Sequence, residues 1–130
     1  FEINEGKLVH EEDKKFMEKV YQVIDSNITK PELSIETISS SLGYSTRQFY
    51  RRIKEITPKK PNDIIREYKL DIVKKLLINT NLSVEEIMDR TGFIKRGKFF
   101  KIFSQKFEMT PKKYREQMRK DITKTNLENS

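Results

Sequence analysis

A chain of 130 residues is long enough for one domain, or for two small subdomains that share an element. With 35% hydrophobic and 36% charged residues any core is thin, and with no cysteine both disulfides and thiolate metal sites are excluded. The net charge of +7 is uneven: residues 1–40 hold nine acids against five bases, residues 41–130 hold 22 bases against 11 acids, and a basic body of that kind fits a polyanionic partner.

No run of 18 apolar residues occurs, so no membrane span and no membrane contact are expected. No cationic leader precedes an apolar stretch, and the lack of cysteine fits a cytoplasmic setting. Opening on Phe1 in place of Met, residues 1–10 read as a lead-in from a longer protein.

Along the rest of the chain the apolar spacing is 3 and 4 nearly everywhere, with only four glycines and four prolines, which predicts an all-α fold. A first helix is expected near 11–28, with Phe16, Val20, Val23, Ile24 and Ile28 on one face. Ser34 is placed to N-cap a short helix carrying Ile35, Ile38 and Leu42. Gly43 breaks that helix, and Thr46 to Ile56 forms the next, with Pro58 and Pro61 ending the stretch. Residues 11–60 thus form an N-terminal helix and a first helix-turn-helix. A long linker helix occupies 61–79, with Ile65, Tyr68, Ile72, Leu76 and Leu77 expected inward.

Then the pattern recurs. Leu33-Ser34-Ile35-Glu36 aligns with Leu82-Ser83-Val84-Glu85, and Gly43-Tyr44 with Gly92-Phe93, each 49 positions on. Past the turn the offset becomes 50, pairing Phe49 with Phe99, Ile53 with Phe103 and Pro61 with Pro111, so the second copy carries one extra residue. Ser83 and Glu86 have capping-box spacing, which the first copy lacks at Thr37. Short helix, glycine turn and second helix make a helix-turn-helix, with a positive φ expected at the glycine. A second such unit and a closing helix are assigned to 80–119, and a polar, disordered tail to 120–130.

Each second helix shows an inward and an outward stripe. At about 100° per residue, Phe49, Ile53 and Ile56 share one face. Arg47, Tyr50, Arg51 and Lys54 fall about 100° to 200° away. An arginine there can reach guanine O6 and N7 with both arms, which lysine cannot. Six bases and one acid lie in 43–60, whereas a merely solvated helix mixes the signs more evenly. From Phe99, Phe103 faces inward and Phe100, Gly97, Ser104 and Lys101 outward, with Arg96 at the helix start and Lys98 also a candidate DNA contact. Residues 90–106 hold six bases and no acid. Phe100 has two open readings, a contact to a thymine methyl or a shared core position in a slightly rotated helix.

These residues resemble the AraC/XylS family of transcription regulators over about 33–117. The most specific stretch runs from Ile87 through Gly92-Phe93, Phe99 and Phe103 to Thr110-Pro111-Lys112-Lys113-Tyr114-Arg115, which is similar to the family's Thr-Pro-x-x-Tyr-Arg signature. The linker Arg66-x-x-Lys69-Leu70-x-x-Val73-x-x-Leu76-Leu77 is also similar, with Val73 where a small residue is usual. Pro58 and Glu108 replace the glycine expected before each closing segment, and Lys95-Arg96-Gly97 departs from the usual start of the second recognition helix. By position, the resemblance places base readers at Arg47, Tyr50 and Arg51 in the first unit and at Arg96 and Lys101 in the second. It implies a C-terminal DNA-binding domain of a larger regulator, whose remaining chain is a ligand-binding domain or a two-component sensor and kinase. The acidic lead-in Glu11-Glu12-Asp13 is more similar to the two-component type.

The expected partner is therefore double-stranded DNA at a promoter or operator, with two recognition helices in successive major grooves and RNA polymerase as a further partner. The rival reading is a helical protein- or RNA-interaction module. No enzyme is expected: His10 is the single histidine, no glycine-rich phosphate loop is present, and the acids scatter, so no catalytic residue, metal ligand or cofactor is assigned.

Overall fold

In the computed structural model the described residues are 2–4, 7–9, 11–30 and 33–128. They form a short antiparallel hairpin and seven helices, in two compact units that divide between Tyr68 and Lys69. The hairpin pairs β1 (Glu2–Asn4) with β2 (Lys7–Val9), Ile3 opposite Leu8. It is the one departure from the all-α expectation, and it is confined to the lead-in. His10 lies outside the described residues.

The first unit begins with α1 (Glu11–Ser26), whose acidic first turn, Glu11, Glu12 and Asp13, suits the positive end of the helix dipole. Phe16, Val20 and Ile24 repeat every four residues and are all buried. The helix stops two residues short of the expected 28, where the Asn27 side chain donates to the Val23 carbonyl at 2.8 Å. Helix α2 (Ile35–Ser41) starts as predicted: the Ser34 hydroxyl accepts from the Thr37 N–H at 3.2 Å. It ends in a Schellman motif. Gly43 takes φ 79°, the Tyr44 N–H donates to Ser39 O at 2.9 Å, and the Gly43 N–H donates to Ser40 O at 3.0 Å. Tyr44 then stands edge-on to Phe16 at 5.6 Å, which fixes the turn on the core.

Helix α3 spans Thr46–Ile56, as the spacing predicts. Its N-terminus carries a capping box that sequence reading overlooked, Ser45 accepting from Gln48 N at 3.2 Å and Gln48 Oε1 accepting from Ser45 N at 2.9 Å. Phe49 and Ile53 enter the core with Phe16, Val20, Ile24, Ile35, Ile38, Ile64 and Ile65. Thr57 is extended, as a residue before proline must be, and ends the helix.

Helix α4 spans Pro61–Asn79, with Pro61 at its first position, where no N–H is needed. Of its five residues expected inward, Ile65 and Leu77 are buried, whereas Tyr68, Ile72 and Leu76 are half-buried. The difference has a plain cause. One helix serves two cores, giving Ile64 and Ile65 to the first and Leu70, Val73 and Leu77 to the second.

In the second unit α5 (Val84–Thr91) opens on the expected Ser83–Glu86 capping box and closes at Gly92 with φ 75°. The Phe93 N–H donates to Met88 O at 3.0 Å, the counterpart of the Tyr44 bond. Helix α6 (Arg96–Phe107) buries Phe99 and Phe103, and Phe93, Phe107 and Tyr114 complete an aromatic cluster with centroids 4.6–6.0 Å apart. Such ring pairs add about 0.5–1.5 kcal/mol each beyond area burial.

Helix α7 (Pro111–Glu128) corrects the expected disordered tail, since 120–128 continue the helix; 129–130 lie outside the described residues. No glycine or proline interrupts 112–128, and Gln117 donates to Asp121 one turn on. The Thr-Pro-x-x-Tyr-Arg segment explains itself here. Thr110 accepts from the Lys113 N–H at 3.2 Å, Pro111 starts the helix and Tyr114 is buried. Arg115 Nε donates to Leu77 O at 2.9 Å, while Arg119 reaches Thr80 O and Asn81. Helix α4 has no basic residue in its own last turn, so these two arginines supply the charge and donors its C-terminal carbonyls need.

Candidate nucleic-acid interface

The first candidate surface is α3. Burial of Phe49 and Ile53, each 1% exposed, fixes the helix's rotation and leaves Arg47, Tyr50, Arg51 and Lys54 exposed as predicted. Tyr50 is 43% exposed and belongs to neither core. No ion pair among the described residues engages Arg47, Arg51 or Lys54. A charged group without a local partner keeps its full attraction for a phosphate or a base edge.

Arg52, also on α3, has a different task. It pairs with Asp13 at 2.7 Å and with Glu55 at 3.4 Å, and its guanidinium lies 5.2 Å from the Phe16 ring. Burial alone would pull its pKa down, but the Asp13 hydrogen bond and charge outweigh that and raise it. Arg52 therefore clamps α3 to α1. Sequence reading counted it only among the bases. The signal was its place on the flank nearer the core stripe.

The second candidate surface is α6, and it differs. Lys98 and Lys101 are exposed without an ion pair among the described residues. Arg96 is exposed but engaged: Glu85 of α5 pairs with it, and its guanidinium lies 4.6 Å from the Phe100 ring centre. Of the two readings of Phe100 the structure favours the core position, because the ring is half-buried and edge-on to Phe99 at 5.7 Å. Its remaining surface lines a cleft of about 560 Å³ with Val84, Glu85, Arg96, Thr110 and Arg115. The extra residue after the second turn brings Ile94, 72% exposed, and the N-cap becomes Lys95, which makes no side-chain cap.

Other charges are spent internally. Lys59 pairs with Glu67 at 2.9 Å and Lys106 with Asp71 at 3.9 Å. Lys69 is buried at 7% exposure beside Phe93, and that burial lowers its pKa. The RNA reading finds no stacking platform in Phe49, Phe99 and Phe103, each at most 1% exposed. Among the described residues no helix is long and apolar enough to cross a membrane, and no group of three or more His, Asp or Glu is placed to hold a metal ion.

Comparison with known proteins places these features in a family. A family model described as a helix-turn-helix domain matches residues 38–117. The chain is 28% identical over 102 residues to histidine kinase P4 of Formosa agariphila, covering 78% of this chain and 7% of that protein. It is 29% identical over 84 residues to the xylose operon regulatory protein of Escherichia coli K12, covering 65% of this chain and 21% of that one. The chain thus spans a small fraction of both relatives. Among solved structures, an AraC-type transcriptional regulator from Chromobacterium violaceum superposes with TM-score 0.73 at 25% identity, covering 83% of this chain and 96% of that one. The DNA-binding domain of AdpA, solved with a target DNA, superposes with TM-score 0.71 at 22% identity over 81% of this chain and 94% of that one. The chain belongs to the AraC-type helix-turn-helix family, the DNA-binding domains of transcription regulators.

Proposed function

We propose that this domain recognises a specific double-stranded DNA site, with α3 and α6 each in a major groove and base contacts led by Arg47, Tyr50 and Arg51. The single observation that carries this reading is the α3 stripe, three cations without an ion pair among the described residues and an exposed tyrosine, held opposite two fully buried core residues. The fixed helix aims these side chains outward, and the planar arginine fork loses little freedom per hydrogen bond when it meets a guanine edge. In the second unit Arg96, Lys98 and Lys101 take the DNA-facing role. Phe100 supports them from the core side.

At about 1.5 Å per residue the 19 residues of α4 measure about 28 Å, against about 34–36 Å for one turn of DNA. A helix of that length, giving core residues to both units, suits occupation of successive major grooves by one monomer. Residues 61–79 then act as linker between the segments 11–60 and 80–119. The AdpA domain, solved with its target DNA, supports the duplex as ligand. The work is binding in the cytoplasm rather than catalysis, with the rest of the regulator chain and RNA polymerase as further partners. Likeness to part of a histidine kinase favours a two-component regulator as the parent protein.

The test is selection of bound sequences from a random duplex pool, followed by Arg47→Ala and Arg51→Ala. Each should cost about 1–3 kcal/mol and relax preference at particular base pairs. Lys60→Ala, off the stripe, should weaken all duplexes about equally. Equal losses on selected and random DNA for the arginine variants would contradict direct readout.

A further inference from the structure

We infer that Glu85 is a latch on the second unit, holding Arg96 against Phe100 in the free protein and yielding it only to a stronger anion or acceptor on DNA. The inference rests on Arg96 being a DNA contact.

Arg96 is the first residue of α6 and Glu85 lies in the first turn of α5, so the turn between the helices brings them side by side. The Glu85 carboxylate pairs with the Arg96 guanidinium, which also lies 4.6 Å from the Phe100 ring centre. Phe100 is half-buried against the second core and edge-on to the buried Phe99 at 5.7 Å. The guanidinium is thus held by one charge and one ring above an open cleft that gives it room to move.

The first unit has no such device. The repeat puts Glu36 where Glu85 stands and Thr46 where Arg96 stands, and Glu36 forms no ion pair among the described residues. Among the described residues, only the second copy therefore joins an acid on the helix before its turn to a base on the helix after it; Arg52 of α3 pairs instead with Asp13 of α1. Both partners are about 60% exposed, at 60% for Arg96 and 61% for Glu85. An ion pair that open shifts an equilibrium by no more than about fivefold. Glu85 therefore biases the second unit without blocking it, and makes its contribution conditional while the first unit's stripe stays open.

The test compares native protein, Glu85→Gln, Arg96→Gln and the double variant on one selected duplex at fixed salt. Glu85→Gln should bind about two- to fivefold more tightly, and the gain should vanish when Arg96→Gln is also present. An equal gain in both backgrounds would mean that Glu85 merely repels phosphate, and would overturn the latch; so would no gain or a loss. The Arg96 Nε–Hε resonance of the DNA-free protein should also move on Glu85→Gln, and an unmoved resonance would overturn it independently. If Arg96→Gln alone leaves binding intact, the assignment of Arg96 as a DNA contact is what fails.

Discussion

Replacing Glu108 by glycine should stabilise the protein, although it deletes a charged side chain. Glu108 ends α6 at φ 62° and ψ 21°, and it is the one non-glycine residue with positive φ among the described residues. Its N–H donates to Ser104 O at 2.8 Å, a bond any residue can make, and its side chain is exposed. An L-residue in that region costs about 1–2 kcal/mol against the right-handed one. Glycine avoids that cost but loses about 0.5–1 kcal/mol more backbone entropy on folding. At the middle of both ranges the balance favours Glu108→Gly by about 0.7 kcal/mol. With a urea slope of about 1 kcal/mol/M for a small unit, the midpoint should rise by about 0.7 M. Glu108→Asn should recover part of the gain, and Glu108→Ala and Glu108→Gln none, because only the backbone matters. Circular dichroism during urea unfolding gives the midpoints. A glycine variant no more stable than the alanine variant would refute the reasoning.

Arg52→Ala should destabilise the first unit by about 1–2 kcal/mol, since it removes the Asp13 bridge and the cover over Phe16 together; urea unfolding monitored by tyrosine fluorescence checks it, and an unchanged midpoint would deny the clamp. Tyr68 donates to Asp25 Oδ2 at 2.6 Å, and burial, then Asp25, pushes its pKa up from 10.0 to about 12. Because the folded state holds this proton more tightly than the unfolded state, the stabilisation is complete below about pH 10 and is lost as pH rises towards 12. Tyr68→Phe should flatten the fall in stability across that window, as measured by urea midpoints at a series of pH values.

The local signals were those a sequence states most plainly. Gly43 and Gly92 were read as turns with positive φ, Ser34 and Ser83 as caps, and Phe49 and Ile53 as the inward face of α3, because each rests on residue chemistry within a few positions. In the tail, polarity does not mean disorder. Residues 120–128 contain no helix breaker, and continuation from α7 removes the cost of a new nucleus. A helical wheel assumes one core and so assigns α4 one apolar stripe, whereas Ile65 and Leu77 serve different cores. At the interface, the α3 stripe was legible for the same reason as its core face. The pairing of Arg96 with Glu85, and of Arg52 with Asp13, was not. Both contacts cross between helices, and residue periodicity within one helix carries no information about its neighbour's side chains.

The central claim of specific duplex recognition is tested most directly by the salt dependence of affinity. Of the twelve bases in 43–60 and 90–106, Arg52, Lys59, Arg96 and Lys106 are ion-paired, which leaves eight. If about six neutralise phosphates, counterion release at about −0.9 per contact gives a slope of log affinity against log salt near −5. Fluorescence anisotropy on a selected duplex and its scrambled counterpart should then show about a thousandfold loss between 50 and 200 mM salt. The selected duplex should remain the tighter ligand throughout. A slope shallower than about −2, or equal affinity for the two duplexes, would contradict the account.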